Sequence, residues 1–180
     1  QGQTYLIYGQ PDSNPLTGEL ELANVGGAVA GATFNGIAFA DYSGVSVSSA
    51  GDVNGDGLDD LIIGAYSAHP PGTGNSERGQ SYLIYGQRDG DKLSGPINLG
   101  DLKGMENGSP GTLKGVVFNG IDDYDSAGWA VSGAGDVNGD GLDDLLIGAR
   151  FADVVYDWDY RGETYLIYGQ PDSNPLTGEL

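Results

Sequence analysis

The 180-residue sequence predicts an all-β fold of four-stranded antiparallel, propeller-type blades in a tandem repeat array. Apolar residues come in short runs bounded by turn residues, and glycine is abundant, with 33 residues. No window shows the sustained i, i+3, i+4, i+7 spacing of an amphipathic helix. Similar segments of about 80 residues, each with about four strand candidates, follow one another, and this arrangement is typical of propeller blades.

Repeated segments set the predicted blade boundaries. GDVNGDGLDD occurs at 51–60 and 135–144, FNGI at 34–37 and 118–121, and YLIYGQ at 5–10, 82–87 and 165–170. We therefore expect the C-terminal strands of one blade in 1–40, a complete blade in 41–121, and a largely complete next blade in 122–180. Residues 4–20 and 164–180 are identical at an offset of 160 (164 − 4), so the last segment runs into the start of the next 160-residue period. A cloning overlap or an engineered repeat would give the same identity.

Each strand of the complete blade has a local signal. Val45–Ser49 alternates between apolar and polar residues, as a strand with one buried face does. Leu61–Ile63 and Leu83–Tyr85 are short apolar runs followed by glycine, which fits buried strands. Leu113–Phe118 alternates more loosely and is the fourth candidate.

The segment between the first two strand candidates has the composition of a calcium loop. Side-chain oxygens fall at positions 1, 3, 5 and 9, a glycine at position 6 permits a sharp turn, and the carbonyl at position 7 can point inward. Hard oxygens in this pattern suit Ca²⁺, which takes about 6–8 oxygen ligands. The candidate ligands are Asp52, Asn54, Asp56, the Leu58 carbonyl and Asp60, and in the second copy Asp136, Asn138, Asp140, the Leu142 carbonyl and Asp144.

Asp, Asn and Gly also build ordinary turns without any metal. Three carboxylates in one loop argue for a cation, because each close pair of like charges costs about 1 kcal/mol in water and about 4 kcal/mol at an effective dielectric of 20. An EF-hand is excluded, since its twelfth position is occupied by Ile63 and Ile147 instead of Glu, and a strand-like run follows each loop. We therefore expect one Ca²⁺ in each loop.

Composition excludes several function classes. The chain has 26 acidic and 7 basic residues, a net charge of −19, which disfavours binding to nucleic acid or anionic lipid. No run approaches the ~18 apolar residues of a membrane span, so we expect no membrane insertion. No nucleophile elbow, phosphate-binding glycine loop or zinc signature is present, so we expect no enzymatic activity. A chain without cysteine that is braced by metal ions fits an extracellular or cell-surface location.

The segments GVSVSSAGDVNGDGLDDLIIGA (44–65) and GWAVSGAGDVNGDGLDDLLIGA (128–149) resemble FG-GAP repeats, the blades of the integrin α-subunit propeller. Such repeats also occur in bacterial secreted and surface proteins, and the chain looks like a tandem-repeat surface protein of that bacterial type. The resemblance implies that each calcium loop joins the first and second strands of a blade. It also implies that loops 66–78 and 150–161 lie on the ligand-binding face.

Two functions follow as hypotheses. The first is a calcium-stabilised extracellular structural or adhesive protein that forms a fibre, stalk or polymeric array with adjacent copies of itself. The second is an integrin-like propeller binding module that recognises a glycan or protein through loops 66–78 and 150–161. In the second loop, Tyr156, Trp158 and Tyr160 alternate with acids, so they can stack on sugar rings or pack against a neighbouring module. Asn107 begins a glycosylation sequon.

Overall fold

The computed structural model describes residues 1–74, 76–88, 92–102, 113–152, 161–171, 173–174 and 176. Asn107 and residues 153–160, with the three alternating aromatics, lie outside this part of the chain. The described residues include ten strands and a short 3-10 turn at Leu22–Asn24. The strands are β1 (Gln3–Ile7), β2 (Gly31–Asn35), β3 (Ser46–Gly51), β4 (Asp60–Ala65), β5 (Gln80–Ile84), β6 (Gly95–Asn98), β7 (Gly115–Asn119), β8 (Ala127–Gly135), β9 (Asp144–Ala149) and β10 (Glu163–Ile167).

The central sheet is a complete four-stranded antiparallel blade in the order β3-β4-β5-β7. Its strands overlap the four candidates of the sequence, although β5 begins three residues before its candidate, so the predicted all-β fold of propeller-type blades is confirmed. Strand β4 is the centre of the register, where Ile62 pairs with Ser48 on one side and with Leu83 on the other. A bulge in β3 between Ser49 and Gly51 precedes the first acidic loop. Bulges re-aim the chain at the end of a strand, which positions the loop that follows.

Two further sheets repeat parts of this blade. The order β8-β9-β10 reproduces its first three strands, and Leu146 pairs with Leu166 as Ile62 pairs with Leu83. On the other side, β1 and β2 pair as its last two strands do. Strands β1 and β10 have equivalent bounds, shifted by 160 residues, as the identical segments predict.

Strand β6 departs from the antiparallel pattern. It follows β5 in the chain but pairs with β2 of the preceding sheet, in parallel. These four residues have no strand signal in the sequence, because Gly95 and Pro96 are poor strand formers and only Ile97 is apolar. Their conformation depends on the neighbouring sheet and is therefore non-local.

The core lies between the sheets. Side chains alternate along β4 and β5. Ile63 and Tyr82 face the first sheet, which contains β1 and β2, while Ile62 and Leu83 face the third sheet, which contains β8, β9 and β10. All four are almost completely buried, and burial of each side chain of this size contributes about 1.5–3 kcal/mol. The middle blade therefore draws its stability from both neighbours. Within the described residues no helix has the length and apolar character needed to cross a membrane.

Candidate metal centre

The two acidic loops join the first and second strands of their sheets. The first connects β3 to β4, and the second connects β8 to β9. Each follows a glycine with a left-handed backbone, Gly51 at φ 72° and Gly135 at φ 71°. Glycine adopts this region without the steric cost that a Cβ atom brings, so the chain can turn sharply out of the strand.

The first loop is held together by hydrogen bonds from its backbone to its own acidic side chains. Asp52 accepts from the amides of Gly55 (2.8 Å), Asp56 (3.0 Å) and Gly57 (2.9 Å). The Asn54 side-chain oxygen also accepts from the Asp56 amide at 3.1 Å. Asp56 accepts from the Leu58 amide at 2.9 Å. The oxygens at positions 1, 3 and 5 therefore shape one turn.

The second loop repeats this pattern bond for bond. Asp136 accepts from the amides of Gly139, Asp140 and Gly141 at 2.7, 3.1 and 2.9 Å. Asn138 accepts from the Asp140 amide at 2.9 Å, and Asp140 accepts from the Leu142 amide at 2.9 Å. Since the two loops lie in different sheets, the shared geometry follows from their identical sequence and not from their surroundings.

The acid at position 9 ties each loop to the third strand of its sheet. One oxygen of Asp60 accepts from the Val53 amide at 3.0 Å, and the other accepts from the Gly86 amide at 2.8 Å. Asp144 accepts from Val137 at 2.8 Å and from Gly169 at 2.9 Å. Both side chains have an exposed fraction of 0%. Burial raises the pKa of Asp60 to about 6, because the charged form loses its hydration. The two amide hydrogen bonds lower this pKa, whereas the nearby negative charges of Asp56 and Asp52 raise it.

The oxygen atoms of the two loops are of the chemical type that hard divalent cations such as Ca²⁺ bind. Each loop offers carboxylate and amide oxygens only, and among the described residues none of the loop carboxylates forms a salt bridge. A buried carboxylate without a basic partner is costly unless a cation or hydrogen bonds compensate its charge. The described part of the chain nevertheless contains no group of three or more acidic or histidine side chains converging as a metal site. The ten predicted ligands lie in two loops, five in each, and calcium remains a prediction.

A contact between the two loops was missed from the sequence. The Asp52 amide donates to the Asp143 side chain at 2.8 Å, and the Asp143 amide donates to the Asp52 carbonyl at 3.1 Å. Asp143 is at position 8, where the sequence indicates no metal ligand. It links the second loop to the first, across the boundary between sheets. No local signal could have identified this contact, because Asp59 has the same place in an identical loop sequence and is exposed.

An aromatic cluster lies at the opposite ends of the same strands. Tyr66 directly follows β4, and its ring stacks on Tyr42 at 5.3 Å between centroids and contacts Trp129 at 4.5 Å. Trp129 also packs on Phe151 at 6.2 Å, and the Arg150 guanidinium lies 4.5 Å from the Trp129 ring centroid. Loops 66–78 and 150–161 both begin in this cluster, so their described parts meet at one end of the blades.

Loop 66–78 also contains a hydrogen-bonded histidine. The Glu77 amide donates to His69 Nδ1 at 3.0 Å, which closes the loop on itself. Glu77 has a positive φ of 41°, an uncommon conformation for a residue other than glycine. The histidine is therefore a structural element of the loop.

The fold and loops define an all-β repeat protein of propeller-type blades with an acidic loop between the first two strands of a blade. The family model described as the FG-GAP repeat matches residues 43–84 and 127–167. These ranges cover β3 to β5 and β8 to β10, with both acidic loops. The chain therefore contains two FG-GAP repeats and belongs to the integrin-like FG-GAP repeat family.

Integrin α subunits are similar to the chain over a larger part of its length. Integrin alpha-5 of Xenopus laevis is 29% identical over 172 residues, which is 94% of this chain and 14% of that protein. Integrin alpha-PS2 of Drosophila melanogaster is 32% identical over 135 residues, 73% of this chain and 8% of that protein. Integrin alpha pat-2 of Caenorhabditis elegans is 32% identical over 106 residues, 59% of this chain and 7% of that protein. The chain thus spans a small fraction of the length of these relatives.

Proposed function

We propose that the chain is a segment of a calcium-stabilised, extracellular, integrin-like propeller that binds a ligand through the loops at its aromatic end. The observation that carries this proposal is the division of each blade into two ends. Acidic loops of one geometry lie at one end, whereas the sequence-divergent loops 66–78 and 150–161 begin at the other. Similarity to integrin α subunits supports the same division of roles.

In this proposal, Asp52, Asn54, Asp56, Asp60 and the Leu58 carbonyl hold one Ca²⁺, and their counterparts in residues 136–144 hold another. The ion supplies positive charge that neutralises the carboxylates of each loop. The chain itself holds the turn, through the hydrogen bonds that Asp52 and Asp136 accept from backbone amides of their own loops. Because Asp52 is bonded to Asp143, an ion in the first loop also stiffens the contact between sheets.

The binding role is tested at the aromatic end. Arg150 is exposed and caps the Trp129 and Phe151 rings, so its removal opens the cluster without creating a buried cavity. We expect Arg150→Ala to weaken adhesion to a panel of immobilised glycans and extracellular matrix proteins by about tenfold, a loss of about 1.4 kcal/mol. Lys114→Ala is the matched control, since it removes one exposed positive charge away from this end.

Adhesion that is equal for the two variants would contradict a ligand site at the aromatic end. Adhesion that survives calcium chelation unchanged would contradict the link between the metal loops and the binding module. No binding to any member of the panel by the unmodified protein in calcium would contradict the binding role itself and favour a structural role.

A structural role is the second candidate, and a specific observation favours it. Residues with identical sequence contexts are buried in the middle of the chain and exposed in the outer sheets. Leu83 in β5 is 0% exposed, while its counterpart Leu166 in β10 is 44% exposed. We infer from this that the outer sheets are covered by adjacent blades of the same kind, in a fibre, stalk or polymeric array.

Sedimentation in calcium tests this second role. An array predicts end-to-end association that increases with protein concentration, because exposed strands and apolar side chains pair with further copies. A monodisperse, compact 18.6 kDa species at all concentrations would contradict it.

A further inference from the structure

The two acidic loops share one sequence but differ in exposure. Their residues are identical, and the hydrogen bonds within them match. Val53 and Asn54, at positions 2 and 3 of the first loop, are 0% and 4% exposed. Their counterparts Val137 and Asn138 are exposed, Val137 by 53%. The first loop is therefore covered by other parts of the chain, and the second serves as an internal comparison.

Hydrogen bonds from the neighbouring sheet hold the backbone at positions 1 and 2 of the first loop. The Asp52 amide donates to the Asp143 side chain at 2.8 Å, and the Asp52 carbonyl accepts from the Asp143 amide at 3.1 Å. The Val53 carbonyl accepts from the Gln170 amide at 3.0 Å. Asp143 directly precedes β9 and Gln170 follows β10, so the third sheet fixes the backbone that carries the Asp52 side chain.

An apolar side chain also packs on the covered loop. A Cβ atom added at Gly55, position 4 of the first loop, would come within 2.9 Å of the Leu142 side chain. The counterpart of Gly55 in the second loop is Gly139. In the part of the chain that the structure describes, no atom lies within 4 Å of a Cβ atom added there. The same turn is therefore enclosed in one copy and open in the other.

These contacts bear on metal binding because Asp52 and Asn54 are predicted ligands. A loop that becomes ordered only when the ion arrives loses conformational entropy on binding, and this loss weakens its affinity. A loop whose backbone is already fixed by a neighbouring sheet loses less entropy at that step. The first loop should therefore hold calcium more tightly than the second, although both contain the same predicted ligands.

Two charged groups outside the predicted ligand set also act on the first loop. The partly exposed Asp143 adds a negative charge, which favours a cation. The exposed Arg88 guanidinium donates to the Asp56 carbonyl at 2.5 Å, and its positive charge opposes a cation. These charges act in opposite directions, and water and salt weaken both effects. The hydrogen bonds are therefore expected to decide the difference between the loops.

We propose that Asp143 is a positioning residue for calcium in the first loop, and that contact with the third sheet gives this loop the higher affinity of the two. The inference rests on the proposed function, because it takes calcium as the ligand of both loops. Affinity and packing are linked reciprocally, so an ion in the first loop strengthens in turn the contact between the two sheets. Identical loop sequences thus give two unequal sites.

A calcium titration followed by nuclear magnetic resonance distinguishes the two loops. The amides of Gly57 and Gly141 both donate to the acid at position 1 at 2.9 Å, so each resonance reports on its own loop. We expect the Gly57 resonance to shift at lower calcium, with a Kd about tenfold lower for the first loop. Equal filling, or earlier filling of the second loop, would overturn this inference and leave calcium binding intact. No shift of either resonance would overturn the calcium proposal and this inference with it.

Substitutions at position 8 separate the hydrogen bond of Asp143 from its charge. Asp143→Ala removes the acceptor of the Asp52 amide and should raise the Kd of the first loop at least about threefold, with that of the second loop unchanged. Asp143→Asn keeps an oxygen acceptor without the charge and should restore most of this affinity. Asp59→Ala is the matched control, since it removes an exposed negative charge at the same position of the first loop. Equal effects of the two alanine variants, or no rescue by Asp143→Asn, would contradict the positioning role.

Amide exchange in calcium-free protein tests the fixed backbone without any ion. The amides of Gly55 and Gly57 should exchange more slowly than those of Gly139 and Gly141, because the third sheet holds the backbone that precedes them. Asp143→Ala should reduce this difference, and Asp143→Asn should preserve it. Equal exchange in the two loops of the unmodified chain would overturn the inference, independently of whether the loops bind calcium.

Discussion

At the scale of single residues, the two loops separate acids that shape the turn from acids that join blades. Asp52, Asp56 and Asp60 accept hydrogen bonds from backbone amides of their own sheet. Asp143 instead accepts from the Asp52 amide in the neighbouring sheet. Its counterpart Asp59 is exposed, so adjacent acids in one sequence motif have different roles in the two copies.

Asp56→Ala should weaken calcium binding and Asp59→Ala should not. Asp56 is a predicted ligand, and its removal also leaves the Leu58 amide without its acceptor. We expect at least about a tenfold loss of affinity in the first loop, or about 1.4 kcal/mol, by calcium titration. Asp59→Ala is the control for the loss of one negative charge. Equal effects of the two substitutions would show that only net charge matters.

At the scale of secondary-structure elements, the connections between β-sheets decide the architecture. The hydrogen bonds within each acidic loop are local, but the first loop also packs on the sheet of β8, β9 and β10. The Asp52 amide donates to Asp143, and the Gln170 amide donates to the Val53 carbonyl at 3.0 Å. Gly51 lies at this boundary, where an added Cβ atom would come within 2.0 Å of the Asp143 side chain. Gly135, its counterpart, has no atom within 4 Å of such a Cβ.

This pair of glycines separates backbone strain from packing between blades. Gly51→Ala and Gly135→Ala both place a side chain in the left-handed region, at a cost of roughly 1–2 kcal/mol each. Gly51→Ala should also displace Asp143 and lose its hydrogen bond to Asp52, for roughly 1.5–3 kcal/mol more. Chemical denaturation measures the difference. Equal free energies of unfolding for the two variants would contradict the contact between loops.

The sequence predicted the elements whose signals are local. Alternation and short apolar runs located β3, β4, β5 and β7, and the spacing of Asp52, Asn54 and Asp56 located the acidic loops. The sequence did not predict β6, because that strand forms by pairing with β2 of another sheet. It also did not predict the role of Asp143, because that contact depends on packing between sheets. Asp125 belongs to an acidic run that is typical of a solvated turn, but it is buried and accepts from the Asp122 amide at 3.0 Å. In each case a non-local contact overrides the local pattern.

At the scale of the whole molecule, the blades share their cores and their loops. The buried clusters lie between sheets, so each sheet is stabilised mainly by its neighbours. The acidic loops lie at one end of these boundaries and the aromatic cluster at the other. Calcium in the loops would therefore act on the assembly of blades as a whole, because the first loop is bonded to the second.

Calcium bound in the two loops is expected to stabilise the blades. Calcium titration calorimetry combined with thermal unfolding measures both the binding and the stabilisation, with Asp60→Asn and Asp144→Asn as variants that each disable one loop. We expect two sites in the unmodified chain, one in each variant, and about 2.7 kcal/mol of stabilisation per site when free calcium exceeds Kd by about 100-fold. No binding heat and an unchanged melting curve in millimolar calcium would contradict calcium binding by the loops.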